Sequence, residues 1–389
     1  MNALRVMSVV GARPNFMKIG PFVRAIEVHN ERASSRGRRP LEHYLVHTGQ
    51  HYDRQMSKSF FGSLDIPEPD VNLSVGSGTH AEQVGRTMIA FEKVVSDWQP
   101  DWVVVVGDVN ATCACSITAK KEHVNVAHIE AGLRSFDLTM PEEINRMVTD
   151  RLSDLLFTPD EIADQNLRDE GVPESRIKRV GNIMIDTLEQ NLPAAKGIRI
   201  ENILQGNLIT PVGDRPTDFE DGEFVVLTLH RPSNVDDPDV LIPLVRFLVD
   251  ELAGSFPLVW TLHPRTRKQL ERFGLWDTVA PCDRIWLVEP LGYLEMLRLN
   301  LGARLLLTDS GGLQEECCIT GTPCITLREN TERPITLREN GGVCSLAGND
   351  VGRIEMILSE QVGLPRRQSR PPLWDGDTSQ RIVEELSKL

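Results

Sequence analysis

The stretch HIEAGLRSFDLTMPEEINR, residues 128 to 146, gathers Glu130, Glu142 and Glu143 with Arg134, Arg146 and His128, and Asp108 stands upstream after the run WVVVVG. No second histidine or cysteine lies at metal-ligand spacing, so the group reads as acid/base chemistry without a metal, carboxylates passing protons at a reacting centre. At the end of an apolar strand the Asp108 carboxylate is expected to be partly desolvated, which favours the protonated acid; the plainer role is an N-cap for the helix after 112. Glu130 closes the strand VNVAHIE ahead of a glycine turn, a position that packing alone explains poorly. Glu142 and Glu143 follow Pro141 at a helix start, where acidic residues favour the dipole, and Glu143 is assigned that plain role. Arg146 lies three and four residues beyond them, so its plain role is an ion pair within the helix.

A second group suits an anion. In DSGGLQEE (309–316) a strand ends, Gly311 and Gly312 admit a close approach of backbone, and a helix begins at Ser310, so free amides point outward. GARPNFMK (11–18) repeats the form with one glycine, and Arg13 and Lys18 would supply charge to a diphosphate. His230 and His263 each end a strand; a single such histidine is usually structural, whereas two at matching positions favour a site. Neither loop is G-x-G-x-x-G or a Walker sequence, so neither a tightly held dinucleotide nor a P-loop triphosphate is indicated.

These residues need elements to carry them. Short β-rich runs alternate with helical patterns, the sequence form of an α/β fold with parallel sheets and crossover helices. Strands are expected at 4–10, 43–48, 102–107, 124–129, 154–157 and 177–180, then at 223–229, 257–262, 284–288, 303–308 and 322–326. In such sheets ligands bind beyond the carboxyl ends of the strands, where the unusual residues fall. If the two sheets face each other by those edges, one cleft collects them all. A chain of 389 residues, 40% hydrophobic, exceeds one core and predicts two domains, 1–184 and 185–364. The polar run GDRPTDFEDGE (213–223) reads as a surface connection, and residues 365–389 as a Pro- and Arg-rich connector with a terminal helix able to pack on either domain.

Composition narrows the class. The 42 basic against 56 acidic residues argue against a nucleic-acid surface. No apolar run reaches the roughly 18 residues of a membrane span, and the N-terminus leads straight into a strand with no export signal, so the cytoplasm is expected. The cysteines, seven in number, show no C-x-x-C and read as reduced core residues. Trp102, Trp260 and Trp286 read as core.

Taken together, GARPNFMK, HTGQHYD, VGDVNAT, HIEAGLRS, PEEINR, VGNIMID, LHRPSN, HP, DSGGLQEE and TERP, in this order across nearly the whole chain, resemble the non-hydrolysing UDP-N-acetylglucosamine 2-epimerases. The resemblance implies two Rossmann-like doubly wound domains in a glycosyltransferase-B arrangement, a homodimer, a UDP-N-acetylhexosamine substrate and no cofactor. By motif it makes Asp108, Glu130 and Glu142 the catalytic carboxylates and His230 the catalytic histidine. It puts Arg13, Lys18, Arg146, His263, Ser310, Gly311, Gly312 and Glu316 at or near the nucleotide, with Glu316 on the ribose and backbone near Val288 and Pro290 reading uracil. The implied reaction exchanges UDP-N-acetylglucosamine and UDP-N-acetylmannosamine through elimination of UDP to a 2-acetamidoglucal. An epimerase of a modified UDP-amino sugar and a glycosyltransferase-B type transferase are the alternatives. HRPSN stands where well-known bacterial members have HRREN, and TERPITLREN departs from their TERPE. Gln50 and His51 remain from a segment that some members use for activation by substrate.

Overall fold

The structure is a computed structural model that describes residues 2–33, 37–49, 67–210 and 216–389, with Arg13 and Pro14 described by backbone alone. Gln50, His51 and residues 213–215 of the polar run therefore lie outside the described residues. The chain divides into two units, residues 1–188 with 371–389, and residues 189–370. The division falls inside the helix Ile183–Lys196, four residues past the position expected from sequence.

The first unit is built on seven strands: β1 Leu4–Val10, β2 Leu41–His47, β3 Val71–Asn72, β4 Trp102–Val106, β5 Asn125–Ile129, β6 Leu155–Thr158 and β7 Ile177–Arg179. They pair throughout in parallel, in the order β3-β2-β1-β4-β5-β6-β7. All of WVVVV in β4 is buried, as a strand covered by helices on both faces requires. Crossover helices such as His80–Trp98 and Asn110–Lys121 supply that cover. The order reverses between β1 and β4, and the carboxyl ends of strands at such a reversal are the usual ligand position in these folds. The residues after those two strands are Gly11–Lys18 and Gly107–Asp108.

The second unit repeats the plan with β8 Val225–Leu229, β9 Leu258–Leu262, β10 Ile285–Val288, β11 Leu305–Thr308, β12 Cys324–Thr326 and β13 Cys344–Leu346, all parallel, in the order β10-β9-β8-β11-β12-β13. Here the reversal lies between β8 and β11, whose next residues are His230 and Asp309. Both sheets contain the doubly wound order expected of Rossmann-like units. Sequence reasoning did not foresee β3 and β13, two and three residues long, because such pieces carry no periodicity and exist only through pairing with a neighbour. The tryptophans are core as expected: Trp102, Trp260 and Trp286 are buried. All seven cysteines are free, and only Cys282 is partly exposed. No helix among the described residues is long and apolar enough to cross a membrane.

The terminal helix, Thr378–Leu386, packs on the helix Arg13–Ala33 of the first unit. Its N-cap residue, Asp377, makes no side-chain cap bond. The amides of Thr378 and Ser379 donate to the two carboxylate oxygens of Asp186, at 3.1 and 2.7 Å, a cap from a residue remote in the chain. Just before it, Trp374 is fully buried and its indole N–H donates to the Pro159 carbonyl at 3.0 Å. Replacing Trp374 with Ala should destabilise the first unit by roughly 3–5 kcal/mol, the usual cost of emptying an aromatic site, read from chemical denaturation. A loss below about 1 kcal/mol would show that this tail is not part of the core.

Candidate active site

At the reversal point of the first unit, Asn15 fixes the turn after β1. Its side-chain carbonyl accepts from the amides of Gly11 and Ala12, and its amide donates to the Val106 carbonyl at 2.9 Å, tying β1 to β4. One helical turn on, the Lys18 ammonium donates to Glu130, and both residues are buried. Gly107, with φ +68°, closes over this pair: a β-carbon there would sit 3.3 Å from both the Lys18 nitrogen and the Glu130 oxygen. Glu130 itself has φ +74°, a left-handed conformation costly for any side chain and held by the two amides of Glu130 and Ala131 donating to the Phe157 carbonyl. Lys18 thus pairs with Glu130, a partner that the sequence expectation did not include.

Asp108 is not the helix cap either, since the helix Asn110–Lys121 starts at Val109 without a side-chain cap. Its carboxylate, 28% exposed, accepts from Arg146 at 2.5 Å, and its backbone carbonyl accepts from the Asn145 amide at 2.9 Å. The carboxylate is partly withdrawn from water, as expected from sequence, and has a guanidinium partner that sequence did not indicate. Arg146 is buried and also donates to Glu143 through Nε at 2.9 Å and Nη2 at 2.6 Å, the pair within the helix foreseen by spacing. Glu143 accepts further from the Ser135 amide and hydroxyl and from the Phe136 amide. Burial alone would raise its pKa, but those amides and Arg146 more than offset this and hold Glu143 below the usual carboxylate range. Glu143 is therefore the clamp that holds Arg146 and the 135–136 turn, and not merely a residue at the dipole. Glu142, one position earlier in the helix Pro141–Leu152, is half-buried and has no hydrogen-bond or ion-pair partner among the described residues.

In the second unit Asp309, fully buried after β11, gathers the end of β8. One carboxylate oxygen lies 2.7 Å from His230 Nδ1; the other accepts from the amides of His230 and Arg231 at 2.9 and 2.8 Å and from Asn234 at 3.2 Å. Burial opposes its ionisation, yet His230 and these amides outweigh burial and hold Asp309 below its ordinary value. An ionised Asp309 makes Nδ1 the donor, which leaves Nε2 of the part-exposed His230 for other work. Asp309 was quoted within DSGGLQEE without a role, and its position across the sheet reversal from His230 is what assigns one. His263 lies beside it, with ring centroids 5.6 Å apart. Its Nδ1 accepts from the Arg265 amide at 3.1 Å, so it caps the helix Pro264–Arg272. Burial, then His230 and Arg265, lower its pKa, in keeping with a neutral ring that accepts.

The helix Gly311–Thr320 begins at Ser310, whose side chain makes no cap bond. The two glycines have different surroundings. A β-carbon on Gly311 would lie 2.7 Å from Arg333 and from Glu332, a buried ion cluster that also includes Arg328 and Glu315. A β-carbon on Gly312 would meet nothing within 4 Å. Farther along, Glu316 is buried with one carboxylate oxygen unpartnered, and the buried hydroxyl of Tyr293 is unpartnered too. Val288, the candidate uracil reader, ends β10 and forms a bridge with Leu208. Among the described residues no group of histidine, cysteine and acidic side chains is placed to hold a metal ion.

The fold and these edges define an α/β protein of two Rossmann-like units whose polar residues sit at the reversal of each sheet. The family model for UDP-N-acetylglucosamine 2-epimerase matches residues 34–387. The chain is 40% identical over 391 residues to UDP-N-acetylglucosamine 2-epimerase of Methanocaldococcus jannaschii, covering 99% of each. It also matches the crystal structure of the M. jannaschii UDP-GlcNAc 2-epimerase in complex with UDP-GlcNAc and UDP, at TM-score 0.85 and 39% identity, over 99% of this chain and all of that one. The UDP-2,3-diacetamido-2,3-dideoxy-D-glucuronate 2-epimerase of Pseudomonas aeruginosa is 37% identical over 390 residues, 99% of this chain and 100% of its own. This protein belongs to the UDP-N-acetylglucosamine 2-epimerase family, a family of isomerases.

The buried Glu316 gives a test of the second unit. Burial, with Glu315 beside it, pushes its pKa from 4.5 up to about 8. A folded value above the unfolded one means that its contribution to stability is full below about pH 4.5 and is lost as the pH rises to about 8. Glu316→Gln, neutral throughout, should unfold at a higher temperature than the native chain near pH 8 and at the same temperature near pH 4.5. Equal midpoints at both ends would show that Glu316 is not desolvated.

Proposed function

We propose that the chain interconverts UDP-N-acetylglucosamine and UDP-N-acetylmannosamine by elimination and re-addition of UDP. The hydrogen on C2 has no adjacent carbonyl to acidify it, so its removal must be coupled to departure of a leaving group. A carboxylate takes the C2 proton, the bond electrons form the C1–C2 double bond, and the C1–oxygen bond to UDP breaks. UDP then re-adds to C1 of the 2-acetamidoglucal while a proton reaches C2 from the opposite face. The observation that carries this reading is the convergence of Asp108 and Glu130 near the reversal of one sheet, each with a buried cationic partner, one of which, Arg146, lies on the helix that also carries Glu142.

In this reading Asp108, Glu130 and Glu142 share the proton transfers, and coupled carboxylates exchange roles between the two directions. Asp309 holds His230 so that Nε2 assists the departing phosphate, and the backbone amides at the start of the helix Gly311–Thr320 donate to the charge that develops on it. Arg13, Lys18 and Arg146 add positive potential, and the free oxygen of Glu316 accepts a ribose hydroxyl. The family resemblance adds a homodimer. A second reading, an epimerase of a modified UDP-amino sugar, is favoured by the P. aeruginosa relative named for such a substrate.

Incubation with UDP-N-acetylglucosamine alone in deuterium oxide, followed by NMR, should yield a second UDP-N-acetylhexosamine that carries deuterium at C2. Turnover only of the diacetamido-glucuronate substrate supports the second reading, and free N-acetylmannosamine would mark a hydrolase. Asp108→Asn should lower turnover by at least about a hundredfold, the usual worth of a positioned acid or base, with UDP affinity within about threefold. Near-native turnover in that variant removes Asp108 from the reaction.

A further inference from the structure

His128, Asp150 and Arg134 take no part in the chemistry above, and all three are buried, His128 and Asp150 completely. Together they join all three elements that carry the candidate carboxylates. His128 Nε2 lies 2.9 Å from the carbonyl of Gly107, the residue before Asp108. His128 Nδ1 lies 2.6 Å from one oxygen of Asp150. The other oxygen of Asp150 accepts from the Gly132 amide at 3.1 Å, just past Glu130, and from Arg134 at 2.7 Å. Asp150 itself lies on the helix Pro141–Leu152, two turns after Glu142. Arg134 is closed off on its far side by a bidentate pair with Glu170 at 2.6 and 2.8 Å.

The hydrogen-bond inventory assigns the protons. A carbonyl can only accept, and so can an ionised carboxylate. Burial opposes the ionisation of Asp150, but His128 and Arg134 outweigh it and hold the carboxyl below its ordinary value. Both nitrogens of His128 therefore face acceptors, an arrangement that a hydrogen on each nitrogen would satisfy. Two cations, His128 and Arg134, then balance two anions, Asp150 and Glu170, which is how a buried charged network avoids an unpaired member.

We propose that His128, doubly protonated, and Asp150 are positioning residues for the epimerisation: they lock the Gly107–Asp108 turn, the Glu130–Gly132 turn and the Pro141–Leu152 helix into one piece. The spacing of Asp108, Glu130 and Glu142 is thereby set before a substrate arrives. A rigid frame matters here because small displacements of acid and base groups cost large factors in rate while binding elsewhere persists. This inference rests on the functional reading above, since it supposes that those carboxylates move the C2 proton.

The test combines two measurements. In the full chain with isotope-labelled histidine, NMR should show hydrogen on both nitrogens of His128, assigned by its loss in His128→Gln; a bare ring nitrogen overturns the network. His128→Gln has a single side-chain nitrogen and cannot span both acceptors. It should lower kcat more than about tenfold, with KM and UDP affinity within about threefold. On an Asp108→Asn background the same change should add less than about threefold, because it acts through that carboxylate. Asp150→Asn should behave alike. Parallel losses of kcat and UDP affinity, or independent losses in the double variant, reduce the pair to a general structural role and overturn the proposal. A native chain without any epimerase turnover overturns the functional reading instead, and with it the positioning role, while the ring protons still report on the network itself.

Discussion

A guanidinium taken out of water must be surrounded by acceptors, and the Arg146 side chain is taken out of water almost completely. Much of the first unit's candidate site follows from that requirement. Glu143 supplies two of the bonds and is itself clamped by the 135–136 turn, so the guanidinium is aimed before it meets Asp108. Removing Arg146 would leave the buried Glu143 carboxylate without its cation, at a cost of roughly 3–5 kcal/mol. Asp108 is the exposed end of this chain of contacts, and its direction is fixed by groups that solvent does not reach. Lys18 and Glu130 repeat the arrangement on the other side of Gly107.

Both units place their reactive edge by the same topological device. A doubly wound sheet leaves a gap where neighbouring strands send their helices to opposite faces, and that gap falls after β1 and β4 in one unit and after β8 and β11 in the other. What fills it differs. The first unit presents carboxylates with buried cations behind them; the second presents a histidine steadied by an aspartate, and the start of the helix Gly311–Thr320. The division matches the needs of the proposed elimination, in which protons move at carbon while negative charge accumulates on phosphate.

Much of this was legible before any coordinates. Asp108, Glu130, His230 and the two glycines stand directly after apolar strands, and the strand ends of an α/β sheet are where ligands bind. What the sequence hid are relations across a turn of helix or across the sheet. Glu142 and Glu143 are adjacent and alike in type, and only the direction of the first helical turn shows that Glu143 points inward to Arg146 while Glu142 does not. Lys18 reads as phosphate charge, with no sign that Glu130 lies against it. Asp309 looks like the opening of an anion loop until its partner from the neighbouring strand is seen. The contact of His128 with Asp150, between a strand and a helix, leaves no periodic trace. Arg13 and the Gln50–His51 segment are readings that the described side chains leave where sequence put them.

The account depends most on the breaking of the bond between C1 and the UDP oxygen, since a route that kept it intact would need no leaving-group assistance from His230 and no anion site beside it. Substrate carrying heavy oxygen in that bridging position, recovered after partial reaction, reports on the bond directly. The account predicts that the label spreads into the non-bridging oxygens of the β-phosphate as epimerisation proceeds. Complete epimerisation with the label still in the bridge would contradict it.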